Sequence, residues 1–159
     1  MAEPFRAERA ERVAAFVVPL PADRAFALFT PEGEKSWADG WHPEYLHPAD
    51  GRIAHGMVFR TRAGGEDTVW TVARFEPPTL VEYVRCTPAS RTAIVTVRCT
   101  PLDGERCTVA VGYAFTGLTE AGNEWIRAMD ERRYAEFIDG WRSEIEAMLA
   151  RGAARTAVQ

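Results

Sequence analysis

All three histidines of this sequence fall within one short stretch, ADGWHPEYLHPADGRIAHG, where His42, His47 and His55 stand among Asp39, Glu44 and Asp50. Imidazoles and carboxylates are the side chains that hold a divalent metal or pass a proton near neutral pH. A metal site needs them to converge at about 2 Å on a single ion. The intervals from His42 to His47 and from His47 to His55 match no established ligand spacing, and both His42 and His47 precede a proline in a stretch that reads as loop. No metal is expected. Acid–base work at the rim of a pocket is the active reading of these histidines; solvated loop residues are the plain one.

A second set of polar candidates lies further along. Arg85 is flanked at alternate positions by Tyr83 and Thr87. In a strand it shares their face, and a buried guanidinium demands an acceptor. Facing inward, Arg85 anchors an anion or a carbonyl; facing outward, it is a surface arginine and Glu82 has the problem of burial instead. Tyr113 offers a further polar group. Trp41, Phe59, Trp70, Tyr83, Tyr113, Phe115 and Trp141 supply the bulky apolar surface that lines small-molecule pockets, with plain core packing as the alternative for each. No nucleophile elbow, phosphate-binding glycine loop or dinucleotide fingerprint is present, which disfavours hydrolase, kinase and dehydrogenase readings.

Composition narrows the classes further. The 159 residues are 47% apolar and 26% charged, with five Trp, four Tyr and eight Phe, enough for one self-sufficient core. Nineteen basic against twenty-three acidic side chains leave a net charge of −4, so nucleic acid is excluded as a partner. Cys86, Cys99 and Cys107 form no CxxC pair and are odd in number, which suits reduced thiols. The opening residues have no basic-then-apolar leader, and no apolar run approaches the ~20 residues of a membrane span. A cytoplasmic location is the resulting expectation.

These side chains must be positioned by elements that the pattern also outlines. Glu11 to Val18 suits a strand, stopped by Pro19 and Pro21; a short helix follows from Ala22 to Phe29, and a second from Glu32 to Ala38. Prolines and glycines then punctuate the chain into a meander, with strands expected at Gly51–Ile53, Met57–Arg62, Thr68–Phe75, Leu80–Thr87, Thr92–Thr100 and Arg106–Thr116. Short links make sequential strands antiparallel. In the last strand Cys107, Val109, Val111, Tyr113 and Phe115 share one face, expected to point inward, whereas parity is undecided for residues 69–87. From Thr119, a candidate N-cap, to Gly152 the pattern predicts one long amphipathic helix, with Ile126, Met129, Tyr134, Phe137, Ile138, Trp141, Ile145, Met148 and Leu149 on its apolar side. Gly140 interrupts it beside Trp141. Residues 11–151 are read as a single domain, between a flexible N-terminus at 1–10 and a flexible tail at 152–159.

A twisted antiparallel sheet curls, and a single helix leaves part of its concave face uncovered. This α+β arrangement therefore predicts a cavity. The stretch VPLPADRAFALFTPEGEKSWADGW resembles the opening of the StAR-related lipid-transfer and polyketide-cyclase superfamily, and VWTVARFEPPTLVEYV resembles its paired strands around a double-proline turn. The order of the remaining elements agrees over about residues 11–150. The resemblance implies a helix-grip fold, a curved antiparallel sheet wrapped around a long C-terminal helix, with a hydrophobic pocket between them. It implies no catalytic residue, since the superfamily holds carriers, cyclases, dehydratases and co-chaperone domains alike.

The expected function is binding of a small hydrophobic molecule, a lipid, polyketide or aromatic metabolite, by Trp41, Phe59, Trp70, Tyr83, Arg85, Tyr113, Phe115 and Trp141, with no cofactor. A cyclase or dehydratase that moves protons through His42, His47, Arg85 or Tyr113 is the first alternative, and a co-chaperone-like interaction module the second. A homodimer stays open, because pairing through sheets or helices leaves no mark in the sequence.

Overall fold

The computed structural model describes residues 3–158, with side chains through residue 153. Strand β1, Arg9–Val18, alternates as its residue types require: Phe16 and Val18 are buried, and Val13 and Val17 face solvent. Pro19 and Pro21 end it, and two short helices follow, α1 at Ala22–Ala27 and α2 at Pro31–Glu34. Thr30 caps α2, its Oγ1 accepting from the Gly33 amide at 3.0 Å, with Pro31 at the first helical position.

The meander comprises β2 (Glu44–His47), β3 (Val58–Ala63), β4 (Glu66–Glu76), β5 (Leu80–Thr87), β6 (Arg91–Pro101) and β7 (Cys107–Gly117). Together with β1 it forms one antiparallel sheet in the order β1-β7-β6-β5-β4-β3-β2. Cys107, Val109, Val111, Tyr113 and Phe115 are buried on its inner face, as their alternation predicts.

Three features depart from the sequence expectations. Gly51–Ile53 is not a strand. The strand lies earlier, at Glu44–His47, where β2 pairs with β3, and Gly51 takes a positive φ of 77° in a turn packed under the Tyr45 ring. The parity left open for residues 69–87 is decided by a bulge at Ala73. Val72 pairs with Tyr83 but Arg74 with Glu82, so Trp70 and Val72 point inward before the extra residue and Phe75 does so after it, packing on Phe26 at 5.9 Å. On β5 the inward set is then Val81, Tyr83, Arg85 and Thr87, while Glu82 lies on the other face and accepts from Thr96 Oγ1.

The third departure is in the closing helix, which is two helices: α3 (Glu120–Ala128) and α4 (Glu131–Val158). Thr119 caps α3 as expected, accepting from the Gly122 amide at 3.1 Å. Met129, at ψ 63°, leaves the helix, and Asp130 starts the next by accepting from the Arg133 amide at 2.9 Å. Arg12 of β1 donates to the carbonyl freed at Met129. Tyr134, Ile138 and Ile145 of α4 are buried, and the Tyr134 hydroxyl donates to the Val111 carbonyl at 2.6 Å, fastening α4 to β7.

Before β1, buried Asn123 of α3 holds the chain on both sides, donating to the Arg6 carbonyl and accepting from the Glu8 amide. Helix α4 continues past Gly152 to Val158. Met1, Ala2 and Gln159, parts of the expected flexible ends, lie outside the described residues.

Candidate functional site

Between the inner face of the sheet, the α2 region and α4 lies an open cavity of about 420 Å³, within the size range of small-molecule sites. Strands contribute Phe59, Trp70, Tyr83, Arg85, Val95, Val97 and Tyr113; α2 and the loop after it contribute Glu34, Trp37 and Trp41; α4 contributes Phe137, Gly140 and Trp141. The sheet side is an aromatic lattice. Phe59 stacks on Trp70 at 5.6 Å, and Trp41 meets both edge-on, at 5.9 and 5.7 Å. Facing it, Trp141 packs against Trp37 at 5.6 Å and Phe137 at 5.7 Å.

Local hydrogen bonds hold these rings. The Trp37 and Trp41 indoles donate to the carbonyls of Leu28 and Pro31, both at 2.8 Å, which ties the loop around α2 to its own backbone. Trp70 donates to Thr61 Oγ1 at 3.0 Å. The Tyr83 hydroxyl donates to the Phe29 carbonyl at 2.6 Å. Burial pushes its ionisation well above the usual tyrosine range, with the nearby Glu34 adding to the effect, so it remains a phenol.

Arg85 stands opposite Trp70 across β4 and β5, its guanidinium 4.5 Å from the ring centroid and donating to Thr68 Oγ1 at 3.3 Å. It also lies beside Tyr113, whose hydroxyl burial raises and Arg85 partly restores. The inward alternative for this arginine is thus the one the fold adopts.

The most unusual group is Glu34. It is half-buried on the cavity wall, and among the described residues its carboxyl has neither a hydrogen-bond nor an ion-pair partner. Withdrawal from water raises its carboxyl well above the ordinary value. Glu34 is not among the residues that the sequence singles out. Its signal was its position three residues before Trp37, which places both on one face of a helical turn.

Seven of the eight expected binding residues come together here: Trp41, Phe59, Trp70, Tyr83, Arg85, Tyr113 and Trp141. Phe115 does not line the cavity; one repeat further along β7 it is covered by Trp125 of α3, at 5.4 Å. The histidines do not line it either. His42, His47 and His55 are exposed, and no metal-holding group of His, Cys, Asp or Glu exists among the described residues.

No protein-family model matches the chain, and comparison with curated proteins finds no match. Solved structures do match over nearly the whole length. An uncharacterized protein of Rhizobium leguminosarum is 14% identical over 92% of this chain and 97% of its own, with a TM-score of 0.69. Truncated norcoclaurine synthase of Thalictrum flavum is 10% identical over 93% and 98%, at 0.66. A Streptomyces aromatase/cyclase is 19% identical over 91% and 96%, at 0.60. The chain therefore shares with these structures the helix-grip α+β fold that the sequence resemblance implied. Among the described residues no helix is long and apolar enough to cross a membrane.

Proposed function

We propose that this protein binds a small, largely aromatic or polyketide-like molecule in the cavity between the sheet and α4. The observation that carries the reading is the cavity itself: about 420 Å³, open to solvent, walled by four of the five tryptophans and by Phe59, Tyr83, Tyr113 and Phe137, with charged groups such as Glu34 and Arg85 to orient an occupant. Aromatic walls favour planar, polarizable ligands, and rings already held in a lattice lose little conformational freedom on binding. The similarity to an aromatase/cyclase and to norcoclaurine synthase supports a small-molecule site over an interaction module.

Native mass spectrometry of the protein isolated from its host, followed by denaturing extraction, tests the reading. A stoichiometric small molecule is expected, and it should be lost from Gly140→Leu, in which a side chain grows into the cavity. Empty protein that no lipid, polyketide or aromatic metabolite stabilises would overturn it.

Enzymatic use of the same cavity is a second reading, favoured by the convergence of Glu34, Arg85 and Tyr113 on one space. A carboxyl raised by burial and placed in an apolar pocket is suited to general acid–base work, with Arg85 available for a developing negative charge. The proton carrier in this reading is Glu34 rather than His42 or His47, which are exposed and do not line the cavity. Turnover of an extracted ligand, with a fall in kcat in Glu34→Gln that persists at saturating ligand, is the result that separates an enzyme from a carrier.

A further inference from the structure

The charges on the cavity wall are unevenly divided. Among the described residues that line it, Glu34, Asp39, Glu136 and Glu144 are carboxyls and Arg85 is a cation. Glu136 is engaged by Arg132 on the helix surface, whereas Glu34, Asp39 and Glu144 have no ion-pair partner among the described residues. Arg85 is already occupied, lying over the Trp70 ring, donating to Thr68 Oγ1 and standing beside Tyr113. Carboxyls without an ion-pair partner thus outnumber the cation on the wall, and an occupant that donates would complement them.

The rings nearest Glu34 add to this. Trp37 stands one helical turn beyond it, and Trp141 packs on Trp37 at 5.6 Å. Indole faces attract cations, and they do so more strongly where water is excluded.

We infer that the ligand carries a protonated amine, seated against Glu34 with its apolar body among Trp37, Trp41 and Trp141; this rests on the ligand-binding reading above. The occupant is a cationic, predominantly aromatic molecule rather than a neutral lipid or a carboxylic acid. In the empty cavity burial favours the protonated form of Glu34. An ammonium group reverses that balance by making the carboxylate the better partner, so binding releases a proton and strengthens as pH rises. The other charged and titratable groups around the site are Asp39 after α2, Tyr83 and Arg85 on β5, Tyr113 on β7, and Glu136 and Glu144 on α4. Burial holds both phenols above the usual tyrosine range, which leaves Glu34 as the group whose proton the amine displaces.

Three probes that differ in one group test this: 4-phenylbutylamine, 4-phenylbutanol and 4-phenylbutyrate, titrated against tryptophan fluorescence. The amine is expected to bind about tenfold more tightly than the alcohol, consistent with a charge-assisted hydrogen bond, and the carboxylate weakest. In Glu34→Gln the amine-to-alcohol ratio should fall towards one, and calorimetry of the wild type in buffers of differing protonation enthalpy should show a proton released with the amine alone. Equal affinity for amine and alcohol, or preference for the carboxylate, overturns the amine inference and leaves the binding reading standing. Failure of all three probes to bind, in a protein that is also empty when isolated, overturns both.

Discussion

Glu34 shows how a single residue acquires chemistry from its surroundings. Its neighbours Glu32 and Lys35 form an ordinary exposed ion pair at 3.0 Å, and Lys35 holds the Glu32 carboxyl below the usual range. Two positions on, the same residue type faces the cavity instead and is pushed the other way. A carboxyl whose folded value is raised contributes its stability fully below the unfolded value of about 4.5 and loses it as pH climbs towards the folded one, because the folded state keeps a proton that the unfolded state releases. Glu34→Gln has no proton to lose. In paired thermal melts from about pH 4 to about pH 8 the variant should therefore gain on the wild type as pH rises. A constant offset between the two curves would show that the carboxyl is not held protonated.

At the scale of elements, two glycines in the closing helices make opposite demands. Gly122 in α3 lies against the Ser90 backbone, and a Cβ there would overlap the carbonyl. Gly140 in α4 faces open space on the cavity side. Gly122→Ala should cost about 1–3 kcal/mol, as overpacking against backbone does. Gly140→Ala should gain up to about 1 kcal/mol, since glycine is a poor helix former and nothing obstructs the added methyl. Urea denaturation of the pair checks both; a destabilised Gly140→Ala would mean that the gap beside Trp141 is smaller than the geometry shows. The same helices explain a misreading. The apolar spacing continues unbroken from Ile126 to Leu149 and predicts a single helix, yet Asp130 can cap the segment after it, and the Arg12 contact to the Met129 carbonyl comes from a strand more than a hundred residues earlier.

Across the whole molecule, Arg91 joins parts that are distant in sequence. Its guanidinium is buried, pairs twice with Glu66 at 2.9 and 3.1 Å, and lies 3.4 Å from the Trp125 ring centroid, linking β6 to the start of β4 and to α3. The two partners are unequal: side-chain exposure is 6% for Arg91 and 40% for Glu66. Removing the carboxylate strands a charge that water cannot reach, whereas removing the guanidinium leaves a carboxylate that water can. Glu66→Ala is therefore expected to cost about 2–3 kcal/mol and Arg91→Met less, about 1 kcal/mol, once solvent access to Glu66 is allowed for. The reverse order in chemical denaturation would locate the stabilisation in the Arg91–Trp125 contact instead.

The fold was legible because its signals are local and repeated. Alternation on β6 and β7, proline and glycine punctuation, the Thr119 cap and the apolar stripe from Ile126 to Leu149 each act over a few residues, and together they admit few topologies. The aromatic walls were legible for the same reason, since six of the seven chosen residues that line the cavity lie on strands or a helix whose inner faces converge, Trp41 in the loop after α2 being the exception. Tertiary structure alone decided the rest. The bulge at Ala73 resets the face of β4, and strand register then sets Trp70 opposite Arg85. Trp125 covers Phe115 and so removes it from the cavity. The histidine-rich stretch, the densest cluster of ionisable groups in the sequence, folds with all three imidazoles exposed, while an unremarked glutamate on α2 becomes the group with perturbed chemistry. Periodicity and capping depend on near neighbours and can be read along the chain; the surroundings of one carboxyl depend on how segments distant in sequence pack beside it.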